Sequence, residues 1–136
     1  MPTVVPMLAY EDGPAAMDWL VQAFGFVERE RWMGEDGLLA HGELAVGEDG
    51  LVMLATPTAR YEGPARHREH CAEAAAWSEV PYVIDGVLVE VDDLEAHLAR
   101  ARAGGARILS EIEDAGGFRH YRAEDLEGHR WMFSGQ

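Results

Sequence analysis

Apolar and polar positions alternate with a period near two, switch to a period near 3.6, and then return to two, and the whole cycle occurs twice along the chain. "TVVPMLAY" (Thr3–Tyr10) reads as a buried strand. "EDGPAAMDWLVQAFG" follows, with Asp12 as N-cap, an early Pro14 and a closing Gly25, so it predicts a helix. Met17, Leu20, Val21 and Phe24 recur at i, i+3, i+4 and i+7, which makes them its core-facing stripe. Three strands are expected next, at Phe26–Met33, Leu38–Val46 and Leu51–Thr56, punctuated by "GEDG" turns at 34–37 and 47–50.

The second half repeats this β-α-β-β-β order. A strand is expected in "YVIDGVLVEV" (82–91), then a helix from Asp92 and Asp93 to Gly104 and Gly105 with Leu94, Leu98 and Ala101 inward. "ARILSEI", "GFRHYRAE" and "HRWMF" supply three more strands. "LAYEDGPAAMDWL" and "LVEVDDLEAHLAR" share a strand, an acidic pair and a helix start, so the halves read as a structural duplication. Between them, Pro64 opens an Ala-rich connector helix ending near Trp77. The expected organisation is one domain over 1–136, with module 1 at about 3–57, the connector helix at about 64–78 and module 2 at about 81–134.

Length and composition narrow the function classes. At 136 residues and 48% apolar content the chain suits one core of ordinary size. Eleven basic residues, all Arg, face 25 acidic ones for a net charge of −14, which disfavours nucleic acid and anionic membranes as partners. Without Lys there is no Schiff-base chemistry and no phosphate-loop lysine. No apolar run reaches the roughly 20 residues of a bilayer span, and "MPTVVPML" does not resemble a signal peptide, so a cytoplasmic location is expected. Cys71 stands alone and reads as a small buried hydrophobe.

The paired modules, the opening "LAYEDGPAAMDWLVQAFGF" and the closing "VEVDDLEAHLARARAGGARI" and "YRAEDLEGHRWMF" resemble the vicinal oxygen chelate superfamily, the glyoxalase and bleomycin-resistance-like proteins. The resemblance covers nearly the whole chain and is weakest over 58–80. It implies an α+β fold in which two βαβββ modules curl mixed sheets around a shared groove, usually in a homodimer. In the superfamily's enzymes it also implies a divalent metal there, whereas some members lack metal and sequester an antibiotic. Carried over residue by residue, the superfamily's ligand positions fall on Val5, Met53, Gly86 and Met132. None offers the imidazole or carboxylate that such an ion needs, so neither a metal nor another cofactor is expected.

Period-two alternation adds Met7, Leu51, Ala55, Leu88, Glu90 and Arg130 to that face. The expected ligand-binding set is therefore Val5, Met7, Leu51, Met53, Leu88, Glu90, Arg130 and Met132, a mostly apolar surface suited to an aromatic or cationic compound. Whether one chain or a dimer completes the groove stays open.

Other constellations support different classes of function. His41 and Glu43 share a strand face and, with Tyr121, are the catalytic candidates of a glyoxalase/lyase-like or dioxygenase-like enzyme, or the core of a metal site outside the superfamily positions. His67, His70 and Cys71 sit close together in the connector, but no metal-binding motif accompanies them. His97, His120 and His129 receive no ligand role. No nucleophile elbow or phosphate loop is present in the sequence. The leading expectation is a metal-independent small-molecule-binding protein. The alternatives are the enzyme and a protein–protein module using the connector helix, with Trp77 as its apolar contact.

Overall fold

The computed structural model describes residues 2–136. The chain folds as two compact units, one ending at Gly63 and the other spanning Pro64–Gln136. Each is an α+β module built on a four-stranded mixed sheet.

In the first unit, β1 (Met7–Ala9) leads into α1 (Gly13–Phe24) and then β2 (Val27–Met33), β3 (Leu39–Val46) and β4 (Gly50–Ala55). The sheet order is β1-β4-β3-β2, with β1 parallel to β4 and the remaining pairs antiparallel. Asp12 caps α1 as its sequence predicts, its carboxylate accepting from the amide of Ala15 at 3.1 Å. Gly25 closes the helix at φ 80°, a left-handed geometry open to glycine at little cost. Met17, Leu20 and Phe24 are buried, as are Leu44, Val52 and Leu54 on alternate positions of β3 and β4. Each such side chain contributes about 1.5–3 kcal/mol by leaving water.

The second unit begins with two short helices, α2 (Pro64–His67) and α3 (Ala72–Trp77). There follow β5 (Val87–Val91), α4 (Leu94–Ala103), β6 (Arg107–Ala115), β7 (Phe118–Glu124) and β8 (Arg130–Gly135), in sheet order β5-β8-β7-β6. Again only the outer pair, β5 with β8, is parallel. Trp131 and Phe133 on β8, Tyr121 on β7 and Leu94, Leu98 and Ala101 on α4 form its buried side.

Both expected opening strands are shorter than their apolar runs. Pro6 has no amide to give a ladder, and only its carbonyl is used, by the amide of Met53 at 3.0 Å, so β1 starts at Met7. Residues 82–86 leave the extended conformation, with Ile84 at φ 79°, so β5 starts at Val87. The single connector helix is instead two, because the chain turns at Arg68–His70 and restarts after Cys71, whose side chain makes no capping bond.

Candidate functional site

The helix covers one face of each sheet, and strand register shows what the other face carries. In the first unit, Met7 pairs with Met53, Met53 with Glu43, and Ala45 with Leu51, so these residues share a face opposite Leu44, Val52 and Leu54. His41 joins them two residues from Glu43. On the edge strand a β-bulge between Glu28 and Glu30 reverses the alternation. Glu28 and Arg31 therefore lie on the helix side, where Arg31 binds Glu28 and Asp18 of α1 at 2.6 Å each. Glu30 pairs with Glu43, and Trp32 with His41, on the open face.

This face has an apolar part and a polar part. Met7 is 80% exposed, Met53 is half-buried, and Leu51 is only 3% exposed and has little surface to offer a ligand. Val5 lies just before β1 and is half-buried. In the polar part, His41 Nε2 and Glu43 Oε2 are 2.7 Å apart, and the Trp32 ring lies 5.4 Å from the imidazole. Glu30, His41 and Glu43 each bring a donor atom within 4.8 Å of the others.

In the second unit, Leu88, Met132 and Arg122 share the open face through the register β5-β8-β7, as do Glu90, Ser134 and His120. Leu88 is 56% exposed and Met132 is half-buried. Glu90 is exposed and lines a cleft of about 320 Å³ with Asp92, Phe118, Arg119 and Ser134. Arg130 has a different role from its neighbours. It is buried, and its guanidinium donates to Glu124 (Nε to Oε2, 3.0 Å) and to the carbonyls of Val80 (2.7 Å) and Ser78 (2.8 Å). Arg68 of the connector reaches the same carboxylate in two bonds of 2.6 and 2.7 Å. One end of this open face is thus covered by the connector, held on by charge. Burial alone would raise the Glu124 carboxyl, but the hydrogen bonds and charges of Arg68 and Arg130 prevail and hold it below the usual carboxylate range.

Tyr121 lies outside both open faces. It is wholly buried, stacks on Phe133 at 5.3 Å and hydrogen-bonds His97 Nδ1 at 2.6 Å, and burial pushes its hydroxyl pKa up. Its position beside Phe133 in the ladder puts it under α4 with the core, away from any ligand on the open face. His67 and His70 meet edge to face at 5.7 Å, and Cys71 is half-buried beyond them. Trp77 of the connector is 45% exposed.

A sequence profile of the Glyoxalase/Bleomycin resistance protein/Dioxygenase superfamily matches residues 4–133. The chain belongs to this superfamily. An uncharacterised protein of Mycobacterium bovis is 30% identical over 131 residues, which are 96% of this chain and 80% of that protein. Among solved structures, TioX from Micromonospora sp. ML1 is similar at 33% identity with a TM-score of 0.71, covering 99% of this chain and 96% of TioX. A bleomycin-binding protein from Streptomyces verticillus, solved with copper(II)-bleomycin, shares the fold at 14% identity and a TM-score of 0.63, covering 100% and 97%.

The resemblance implies a divalent metal in the superfamily's enzymes, and the residues it assigns to the ligand positions do not fit one. They are Val5 and Met53 in the first unit and Gly86 and Met132 in the second. An alkyl group, two thioethers and a hydrogen atom supply no donor for a borderline or hard divalent ion. Two features of the site were not visible in the sequence: Glu30 joins His41 and Glu43 only because of the bulge, and Glu124 is the partner that occupies Arg130.

Proposed function

We propose that the chain is a metal-independent small-molecule-binding protein of the superfamily, acting in the cytoplasm as a single domain and a homodimer. The observation that carries this reading is apolar substitution at the superfamily's ligand positions, flanked on the open faces by exposed Met7 and Leu88. The bleomycin-binding neighbour supports it as a precedent for small-molecule binding on this fold. Burying about 200 Å² of such surface is worth about 5 kcal/mol before association costs. The preferred ligand is apolar or aromatic with a cationic group. Glu90 supplies the negative charge, and Arg130 does not neutralise it because it is spent on Glu124.

Titration calorimetry in EDTA, with a panel of cationic aromatic compounds and their neutral isosteres, tests the reading. Met132→Glu should weaken neutral apolar ligands about tenfold or more. Glu90→Gln should weaken the cationic member of a pair more than its isostere, with the difference shrinking in high salt. Unchanged affinity in Met132→Glu would remove the open face of the second unit from the site.

The dimer is expected because β2 and β6 leave sheet edges that pairing between copies would cover. Sedimentation equilibrium should show mass action between monomer and dimer. A concentration-independent monomer at tens of micromolar, about the working range of protein complexes, would refute it.

A further inference from the structure

Register places two carboxylates directly opposite each other on the open face of the first unit: Glu30 on β2 and Glu43 on β3. Like charges in that position destabilise a strand pair unless a cation lies between them. Among the described residues neither carboxylate pairs with an arginine, and the neighbouring Arg31 is turned to the other face by Asp18 and Glu28. The group that does approach is the imidazole of His41, with Nε2 2.7 Å from Glu43 and the ring beside Trp32. Glu43 and His41 are largely shielded, at 14% and 29% side-chain exposure, whereas Glu30 is exposed on the edge strand.

We propose that Glu30, His41 and Glu43 form a binding site for a divalent transition-metal ion such as Zn²⁺ or Mn²⁺, separate from the superfamily's ligand positions. One imidazole and two carboxylates are the donor types such ions select, and together the carboxylates offset the ion's charge. With metal–ligand bonds of about 2.0–2.2 Å, neighbouring donor atoms stand about 3.0–3.6 Å apart. The His41–Glu43 pair needs to open slightly to reach that spacing, and Glu30, already within 4.8 Å, needs to close. Three protein donors leave coordination positions for water or for a donor atom of a ligand. Such a ligand would lie beside Met53, the ladder partner of Glu43. The site does not depend on the binding function proposed above, whose test is run in EDTA. A failure of either leaves the other standing.

Titration calorimetry of the chelator-treated, dialysed full chain with zinc chloride and with manganese chloride tests the proposal. One ion per chain is expected, with His41→Ala, Glu43→Gln and Glu30→Gln each weakening it about tenfold or more. The His67→Ala/His70→Ala double variant should bind unchanged. Glu30→Gln alters an exposed edge position and removes the like-charge opposition, so its unfolding midpoint should equal or exceed the parent's and its loss of metal cannot be assigned to misfolding. As an independent readout, Ni²⁺ should quench the fluorescence of Trp32, and Trp32→Phe should remove that quenching while keeping zinc affinity. No saturable binding below about 1 mM, binding that follows His67 and His70, or quenching that survives Trp32→Phe would each overturn the site.

Discussion

Replacing Glu124 with Ala is expected to destabilise the second unit by about 3–5 kcal/mol, the cost of leaving a buried charge without its partner. Glu124 and Arg130 have side chains 3% and 7% exposed, and Arg68 is 18% exposed. When the carboxylate is removed, Arg68 can turn toward water. Arg130 cannot, and it keeps only the carbonyls of Ser78 and Val80. Denaturant unfolding followed by tryptophan fluorescence should show a lower midpoint for Glu124→Ala and a smaller shift for Glu124→Gln, which retains a neutral acceptor.

The same carboxylate sets a pH dependence. Its pKa in the folded state lies below the ordinary value of 4.5, so the folded state binds this proton less readily than the unfolded state. Its contribution is therefore complete above the unfolded value and declines as pH falls from there through the folded value. The stability gap between the parent and Glu124→Gln should be widest near neutrality and close on acidification. A gap that stays constant down to pH about 3 would show that the arginines do not lower the carboxyl's pKa in the folded state.

Gly128→Ala should cost about 2–4 kcal/mol, from two effects that add. The residue has φ 96°, where a Cβ is strained, and the added carbon would stand 2.5 Å from the amide nitrogen of Ala65. That amide already donates to the carbonyl of Glu127 at 2.9 Å, so relief requires moving the start of the connector off the turn before β8. Asp125 holds the turn from inside, accepting from the amides of Glu127 and His129 and from the Trp131 indole, each at 3.0 Å. Calorimetric melting of Gly128→Ala against a surface control such as Gly116→Ala, also at positive φ but with open space around it, separates strain from clash.

The sequence made these turns visible because their chemistry is local. "DLEGHRWMF" shows a turn and then a strand, and "EDGPAAMDWLVQAFG" carries both helix caps and its buried stripe, so element order and the helix-facing residues were legible. The open-face positions followed from alternation wherever the ladder is regular, as at Met53, Leu88 and Met132. What failed to show depends on contacts distant in sequence. Arg130 has the parity of a ligand-facing residue, yet the carbonyls of Ser78 and Val80, some fifty positions earlier, claim it together with Glu124. Tyr121 could be placed only once the register of β7 on β8 was known, and that register puts it beside Phe133 in the core.

The bulge between Glu28 and Glu30 works as a phase shifter for the edge strand. With strict alternation, Val27, Arg29 and Arg31 would share the open face, and a row of guanidinium groups would stand where Glu30 and Trp32 now stand. A single uncounted residue therefore decides whether this edge displays positive charge or a carboxylate and an indole. Among homologues, the gain or loss of one residue near Arg29 would exchange one surface for the other while leaving the composition of the strand almost untouched. Residues matched by plain alignment across such a gap would stand on opposite sides of the sheet.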